Sequence, residues 1–128
     1  MKKLQNNFTT PEQSKRLLEL GMPEDSADCY YSHYIKTYAH SLYTEILWHR
    51  PRFITEDNKP VWNAILMDGT QTYLPCWSVG RLIEIYELCY AQEFIRNVGA
   101  YLMEDVLSTI YDAVNDTTEQ WDFSKLEK

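Results

Sequence analysis

The residues LPCWSVGRLIEIYELC, at positions 74–89, change from a β-strand pattern to a helical pattern within a few positions. Pro75 cannot donate a hydrogen bond to a sheet, so we expect it to close the strand. Ser78 is a favoured residue at a helix N-terminus, and the apolar residues after it recur with helical spacing. The chain must therefore bring a sheet and a helix together at one corner, and Trp77 is predicted to be buried there.

The segment before this junction is typical of a β-hairpin. Asp68-Gly69 lies between two stretches rich in β-forming residues, Val61–Met67 and Thr70–Leu74. An Asp-Gly pair adopts the positive φ angles of a tight hairpin turn. Residues 30–48 are ambiguous, because a helical spacing of apolar residues competes with an enrichment in tyrosine and threonine. We favour strands for this segment.

Helices are predicted before and after the sheet in the sequence. Thr10 and Gln13 have the spacing of a capping box, and Gly21 is suited to end the short helix that they begin. After the helix that starts near Ser78, a longer amphipathic helix is predicted over residues 93–115. The aromatic segment 121–126 is expected to dock on the body of the protein.

These elements predict one α+β domain over residues 1–128, with a short N-terminal helix, a small antiparallel sheet with a hairpin, and two C-terminal helices. Loops are predicted at 49–52 and 56–60, where proline and charged residues interrupt the patterns. The N-terminal segment is positively charged but has no apolar core after it, and no segment is apolar enough to span a bilayer. We therefore expect a cytoplasmic protein.

The negative charge is concentrated in the C-terminal part of the chain. Residues 1–81 contain equal numbers of acidic and basic side chains, so the net charge of −7 arises wholly from residues 82–128. Direct binding to nucleic acid or to an anionic membrane is not expected, since both require a basic surface. On the predicted final helix, acidic residues lie opposite the apolar stripe. A solvated surface explains this pattern, and so does a docking face for a basic partner protein. The residues of this predicted face are Asp105, Asp112, Asp116 and Glu119.

A second candidate site lies in the tyrosine-rich segment. Tyrosine buries a large area and keeps a polar tip, which suits interfaces and ligand pockets, although a half-buried sheet face is also consistent with the pattern. The arginines of the following loop could contact a phosphate or a carboxylate, or could simply be solvated. This alternative predicts a protein that binds or sequesters a small, nucleotide-like ligand. Its residues are Tyr30, Tyr31, Tyr34, Tyr38, Arg50 and Arg52.

The cysteines, Cys29, Cys76 and Cys89, form neither a disulfide framework nor a CxxC pattern, so buried, reduced thiols are expected. Cys76 lies at a predicted helix N-terminus, where exposed amide groups favour a thiolate. Cys-Trp at this point resembles the nucleophile region of papain-like cysteine proteases. Those enzymes place the catalytic histidine after the cysteine, whereas no histidine follows His49 here. We therefore interpret Cys76 as a packing residue and keep a thiol-dependent hydrolase as a third hypothesis. Neither a metal nor a cofactor is predicted.

Three stretches of the chain together resemble an uncharacterised family of short accessory proteins from phages, prophages and mobile elements of gut Bacteroidales. They are NNFTTPEQSKRLLELGMPEDSADCYY, LPCWSVGRLIEIYELC and WDFSKLE. They cover about half of the chain, and residues 32–73 carry no match. The resemblance implies a protein that acts inside an infected or lysogenic bacterium, and it implies no catalytic residue. Together with the acidic helix, it predicts a non-enzymatic protein that binds and modulates a host protein.

Overall fold

Four strands and three helices make up most of the regular structure in the described part of the chain. A computed structural model describes residues 7–37, 44–62, 73–90, 103–115 and 121–126. The strands are β1 (Cys29–Thr37), β2 (Thr44–Trp48), β3 (Arg52–Phe53) and β4 (Tyr73–Cys76), and the helices are α1 (Pro11–Glu19), α2 (Val79–Tyr90) and α3 (Met103–Asn115). Short 3-10 turns occupy Glu24–Ser26 and Phe123–Leu126. The predicted α+β fold is confirmed.

Strand β1 is central to the sheet and pairs antiparallel with each of the other three strands. Its first residue, Cys29, lies opposite Phe53 of β3 and also opposite Cys76 of β4, so β3 and β4 flank β1 on opposite sides. The second half of β1 pairs with β2, with His33 opposite Trp48. The strand interpretation of residues 30–48 is therefore confirmed for 30–37 and 44–48. The predicted hairpin turn at Asp68-Gly69 lies outside the described residues.

Two predicted strand boundaries were wrong by one or two residues. Strand β4 continues past Pro75 to Cys76, and Pro75 lies opposite Tyr30 within the ladder. A proline is tolerated there because an antiparallel ladder requires an N–H toward a given neighbour only from alternate residues. Arg52, predicted in a loop, begins β3. The loop predicted after it is confirmed, since Asn58 Oδ1 accepts hydrogen bonds from the backbone N and the Oγ1 of Thr55.

The predicted capping box begins α1. Thr10 Oγ1 accepts a hydrogen bond from the backbone N of Gln13 at 3.1 Å, and Gln13 Oε1 accepts one from the backbone N of Thr10 at 2.9 Å. The helix ends where the backbone N of Met22 donates to the carbonyl of Leu17. Gly21 makes this reversal with a positive φ of 103°. The exposed and buried sides of α1 follow from its amphipathic sequence, with Ser14 and Leu17 buried.

Gly21→Ala is expected to lower the free energy of unfolding by about 1–2 kcal/mol, because a side chain is disfavoured at positive φ. A Cβ at this position would also lie 3.3 Å from Cε2 of Phe123. Urea denaturation of the parent and the variant measures this difference. Gly80→Ala is the matched control, since a Cβ there meets no heavy atom within 4 Å. Equal stability changes in the two variants would contradict this explanation of the α1 terminus.

The corner between β4 and α2 is buried as predicted. Trp77 is fully buried and belongs to the larger hydrophobic cluster, together with Leu17 of α1 and Ile110 of α3. Its indole Nε1 donates to Ser26 Oγ at 3.1 Å. Ser78 caps α2, because its Oγ accepts from the backbone N of Arg81 at 3.2 Å. One short segment thus joins the sheet to α2 and places Trp77 in a cluster that contains residues of all three helices.

The aromatic segment near the C-terminus docks on α2, as the sequence predicts. The backbone N of Asp122 donates to the carbonyl of Cys89 at 3.0 Å, and Trp121 and Phe123 pack against the larger hydrophobic cluster. The final helix is confirmed for residues 103–115, whereas its predicted first part, 93–102, lies outside the described residues.

Candidate protein-docking site

Helix α3 has one buried side and one exposed side. The buried residues anchor the helix in the core, and they are Met103, Val106, Leu107, Ile110 and Ala113. The exposed residues are mostly acidic or small and polar, and they are Glu104, Asp105, Ser108, Asp112 and Asn115. No basic residue occurs in α3. The helix therefore holds a set of carboxylates in fixed positions on the protein surface.

Two residues of the predicted docking face, Asp105 and Asp112, are exposed on this surface. They are seven positions apart, which is about two helical turns, so both project from the same side of the helix. Glu104 adds a carboxylate that the prediction omitted. These three form no ion pair with any residue in the described ranges. Asp116 and Glu119 lie outside those ranges. We call Glu104, Asp105 and Asp112 the acidic face.

A groove of about 220 Å³ lies between α2 and α3, next to the acidic face. Its walls are Tyr86 and Tyr90 of α2 and Thr109, Asp112 and Ala113 of α3. Asp112 therefore belongs both to the acidic face and to the groove. A cationic side chain can interact favourably with aromatic rings and with a carboxylate at the same time, and a guanidinium is the cation best suited to both contacts.

Aromatic packing holds the tyrosine walls of the groove in place. The rings of Tyr86 and Tyr90 are 5.2 Å apart between centroids, and the ring of Trp121 lies 6.2 Å from the first and 6.3 Å from the second. Within the described residues, the Nε1 of Trp121 is a buried donor with no hydrogen-bond partner. The two tyrosine walls of the groove therefore belong to a packed cluster of three aromatic rings.

Tyr86 and Tyr90 are among the apolar residues that recur with helical spacing after Ser78. The sequence pattern did not assign either of them to a site. Their spacing, four positions apart, shows only that the two rings share a side of the helix. That they also line a groove depends on how α3 packs against α2, which no local pattern encodes.

Outside the groove, the protein already holds a guanidinium against a tyrosine ring of α3. The guanidinium carbon of Arg16 lies 4.9 Å from the centroid of the Tyr111 ring. Burial raises the pKa of Tyr111, with Arg16 acting in the opposite direction, so the phenol is neutral at physiological pH. This contact illustrates the cation–π interaction that the neighbouring groove can offer to a side chain from another protein.

The residues of the alternative ligand site are dispersed. Tyr30 and Tyr31 are buried on opposite faces of β1, and the Tyr31 hydroxyl donates to the carbonyl of Thr9 at 2.6 Å. Tyr34 is 42% exposed and stacks on His49 with centroids 4.5 Å apart. Tyr38 lies outside the described residues, and the two arginines, Arg50 and Arg52, are exposed.

A surface cavity of about 290 Å³ lies near the 3-10 turn that precedes β1. Its walls are not formed by the residues of the alternative ligand site. They are Asp25, Ala27, Ile54, Lys59, Pro60 and Trp62. The indole Nε1 of Trp62 donates to Asp25 Oδ1 at 3.2 Å, which fixes one wall of the cavity.

Cys76 is fully buried at the end of β4. The pKa of its thiol is lowered, first by the neighbouring Cys29 and further by the nearby hydroxyls of Thr9 and Tyr31, while burial opposes the shift. The charge of the Asp28 carboxylate also raises the pKa of this thiol, which disfavours the thiolate. Within the described residues, no cluster of three or more His, Cys, Asp or Glu side chains is placed to hold a metal ion. The hydrogen bonds of Cys76 within the described residues are to Thr9, whereas a thiol-dependent hydrolase pairs its cysteine with a general base.

Comparisons with known proteins identify no relative. No protein-family model matches the chain, and neither a curated protein nor a solved structure matches it. Within the described residues, no helix combines the length and the apolar character needed to cross a membrane.

Proposed function

We propose that the protein is a non-enzymatic binding protein that docks on a basic partner protein through α3. The observation that carries this proposal is the position of Asp112, which is shared by the acidic face and by the tyrosine-walled groove. Exposed carboxylates alone are typical of any solvated helix. A groove that combines a carboxylate with two tyrosine rings has the chemistry to hold an arginine or lysine side chain.

The proposed complex is held by one anchored cation and by several weaker charge contacts around it. An arginine of the partner would lie against Tyr86 or Tyr90 and pair with Asp112, while Glu104 and Asp105 attract further basic groups. Exposed ion pairs contribute only about 0–1 kcal/mol each, and an exposed cation–π contact about 0.5–1 kcal/mol. Charge complementarity mainly accelerates association and selects basic partners.

The resemblance to phage and prophage accessory proteins suggests where this binding takes place. In the proposed setting, the partner is a protein of the bacterial host and the complex forms in the host cytoplasm. A nucleic-acid-binding protein has the required basic surface, and docking there would occupy its nucleic-acid site. The alternative proposal, a nucleotide-like ligand held by Arg50 and Arg52, receives less support because these arginines are exposed and lie apart from both cavities described above.

The groove can be tested with a minimal cation. We expect N-acetyl-arginine amide, in an NMR titration, to shift the amide signals of Thr109, Asp112 and Ala113 with millimolar affinity. The citrulline analogue has the same shape but no charge, so it should shift them little. Asp112→Asn should weaken arginine binding about fivefold, the equivalent of about 1 kcal/mol.

Asp57→Asn is the matched control, because it removes an exposed carboxylate outside the groove. It should leave arginine binding unchanged. Equal shifts with arginine and citrulline, or shifts centred outside the groove, would show that the groove does not select a cation.

A further inference from the structure

Cys29 and Cys76 are 47 positions apart in the sequence but directly opposite each other in the sheet. They are paired residues of the antiparallel strands β1 and β4. Both are free thiols and fully buried. Directly opposed residues of antiparallel strands have Cα atoms about 4.5–5.5 Å apart, which lies within the range of about 4.4–6.8 Å that disulfides span.

The two thiols influence each other across the ladder. The interaction between the two thiols raises the pKa of Cys29 and lowers that of Cys76. A second contact orients each residue. Cys29 Sγ lies 3.4 Å from Asp28 Oδ1, and Cys76 Sγ lies 3.7 Å from Thr9 Oγ1 and 3.5 Å from the carbonyl oxygen of Thr9. The register of the two strands therefore places the two cysteines at a separation that a disulfide can span.

We propose that Cys29 and Cys76 form a redox-active dithiol, which hydrogen peroxide converts to a disulfide between β1 and β4. Cys76 is the attacking residue, because its sulfur accepts a hydrogen bond from Thr9 Oγ1, whereas the Cys29 sulfur lies against the Asp28 carboxylate, whose negative charge disfavours a thiolate. Cys29 is the resolving residue. This modification site is independent of the docking function and lies on a different part of the fold.

The reaction is a balanced two-electron oxidation. The Cys76 thiolate attacks one oxygen of the peroxide and the O–O bond breaks, leaving a sulfenic acid and a hydroxide that takes up the proton released by Cys76. The Cys29 sulfur then attacks the Cys76 sulfur and the S–O bond breaks. The departing hydroxide takes the proton of Cys29. Two thiols become one disulfide, and the peroxide becomes two waters.

Cys89 provides an internal control. It is buried and unpaired with the other cysteines, and burial raises the pKa of its thiol to about 11. A thiol with a raised pKa forms little thiolate and reacts slowly with peroxide. Selective oxidation of the other two cysteines would therefore reflect their arrangement rather than a general sensitivity of buried thiols.

The test is to treat the folded parent protein with hydrogen peroxide and to map its peptides by mass spectrometry without reduction. We expect one linked peptide pair containing Cys29 and Cys76, with Cys89 still a free thiol. The closed loop should raise the Tm by about 10 °C, and dithiothreitol should reverse the increase. Cys89→Ala should oxidise at an unchanged rate.

Cys29→Ala separates the two steps of the reaction. With the resolving thiol absent, Cys76 should stop at the sulfenic acid, which dimedone traps, while circular dichroism verifies that the variant is folded. The proposal is overturned if the folded parent gives no linked Cys29–Cys76 peptide. It is also overturned if the link appears only in urea, or if Cys89 is oxidised as fast as the pair.

Discussion

Trp77→Ala is expected to lower the free energy of unfolding by about 3–5 kcal/mol, the usual cost of truncating a fully buried tryptophan. Trp77 has no exposed surface and packs in the cluster that joins α1, α2 and α3. The truncation leaves a cavity at the point where the sheet meets the helices. It also removes the indole N–H that donates to Ser26 Oγ. Urea denaturation, monitored by far-UV circular dichroism, measures the loss.

Two further variants identify the origin of the effect. Trp77→Phe keeps most of the apolar volume and loses the indole donor, so its cost should lie between zero and that of the alanine variant. Trp48→Ala removes a tryptophan that is only half-buried, so it should cost less than Trp77→Ala. If the free energy of unfolding of Trp77→Ala were within about 0.5 kcal/mol of the parent value, burial of Trp77 would not stabilise the corner between β4 and α2.

Reversing the charge of the acidic face is expected to abolish capture of the partner. The double variant Asp105→Lys, Asp112→Lys replaces two exposed carboxylates by cations, one of them in the groove. We expect capture from a bacterial host lysate to fall at least tenfold, because a basic partner is then repelled where it was attracted. The fold should be retained, since exposed substitutions usually change stability by no more than about 0.5 kcal/mol.

The double variant Glu56→Lys, Asp57→Lys makes the same change in net charge on an exposed loop. It should capture the partner nearly as well as the parent does. Raising the salt concentration should weaken capture by the parent, since exposed charges are screened beyond about 8–10 Å at physiological ionic strength. Equal losses in the two double variants would indicate that net charge matters and that α3 has no special role.

The parts of the fold that the sequence predicts correctly depend on local spacing. Thr10 and Gln13 form the capping box because three positions separate a helix cap from its partner. Ser78 caps α2, and Trp77 is buried beside it. Both could be predicted because the strand pattern changes to a helical pattern within a few adjacent residues. These features involve contacts within one turn or at one junction, so a single sequence is enough to find them.

The features that the sequence does not reveal depend on how distant segments align. Nothing near Cys29 indicates that Cys76 lies opposite it, since their pairing is set by the register of β1 and β4. The groove likewise requires the packing of α2 against α3. Of the predicted docking residues, the sequence finds Asp105 and Asp112 from helical periodicity alone. It cannot show that, of these two, Asp112 lines the groove and Asp105 does not.

Site-specific photo-crosslinking in host cells tests docking on α3 most directly. Ser108 is exposed and lies one turn from both Asp105 and Asp112, so benzoylphenylalanine in its place reports contacts of the acidic face without removing a carboxylate. We expect irradiation to crosslink this position to a basic host protein, and the same photoreactive residue in place of Asp57 to give no such product. If position 108 yields no crosslinked protein, or yields only the products seen from position 57, the proposed docking on α3 is contradicted.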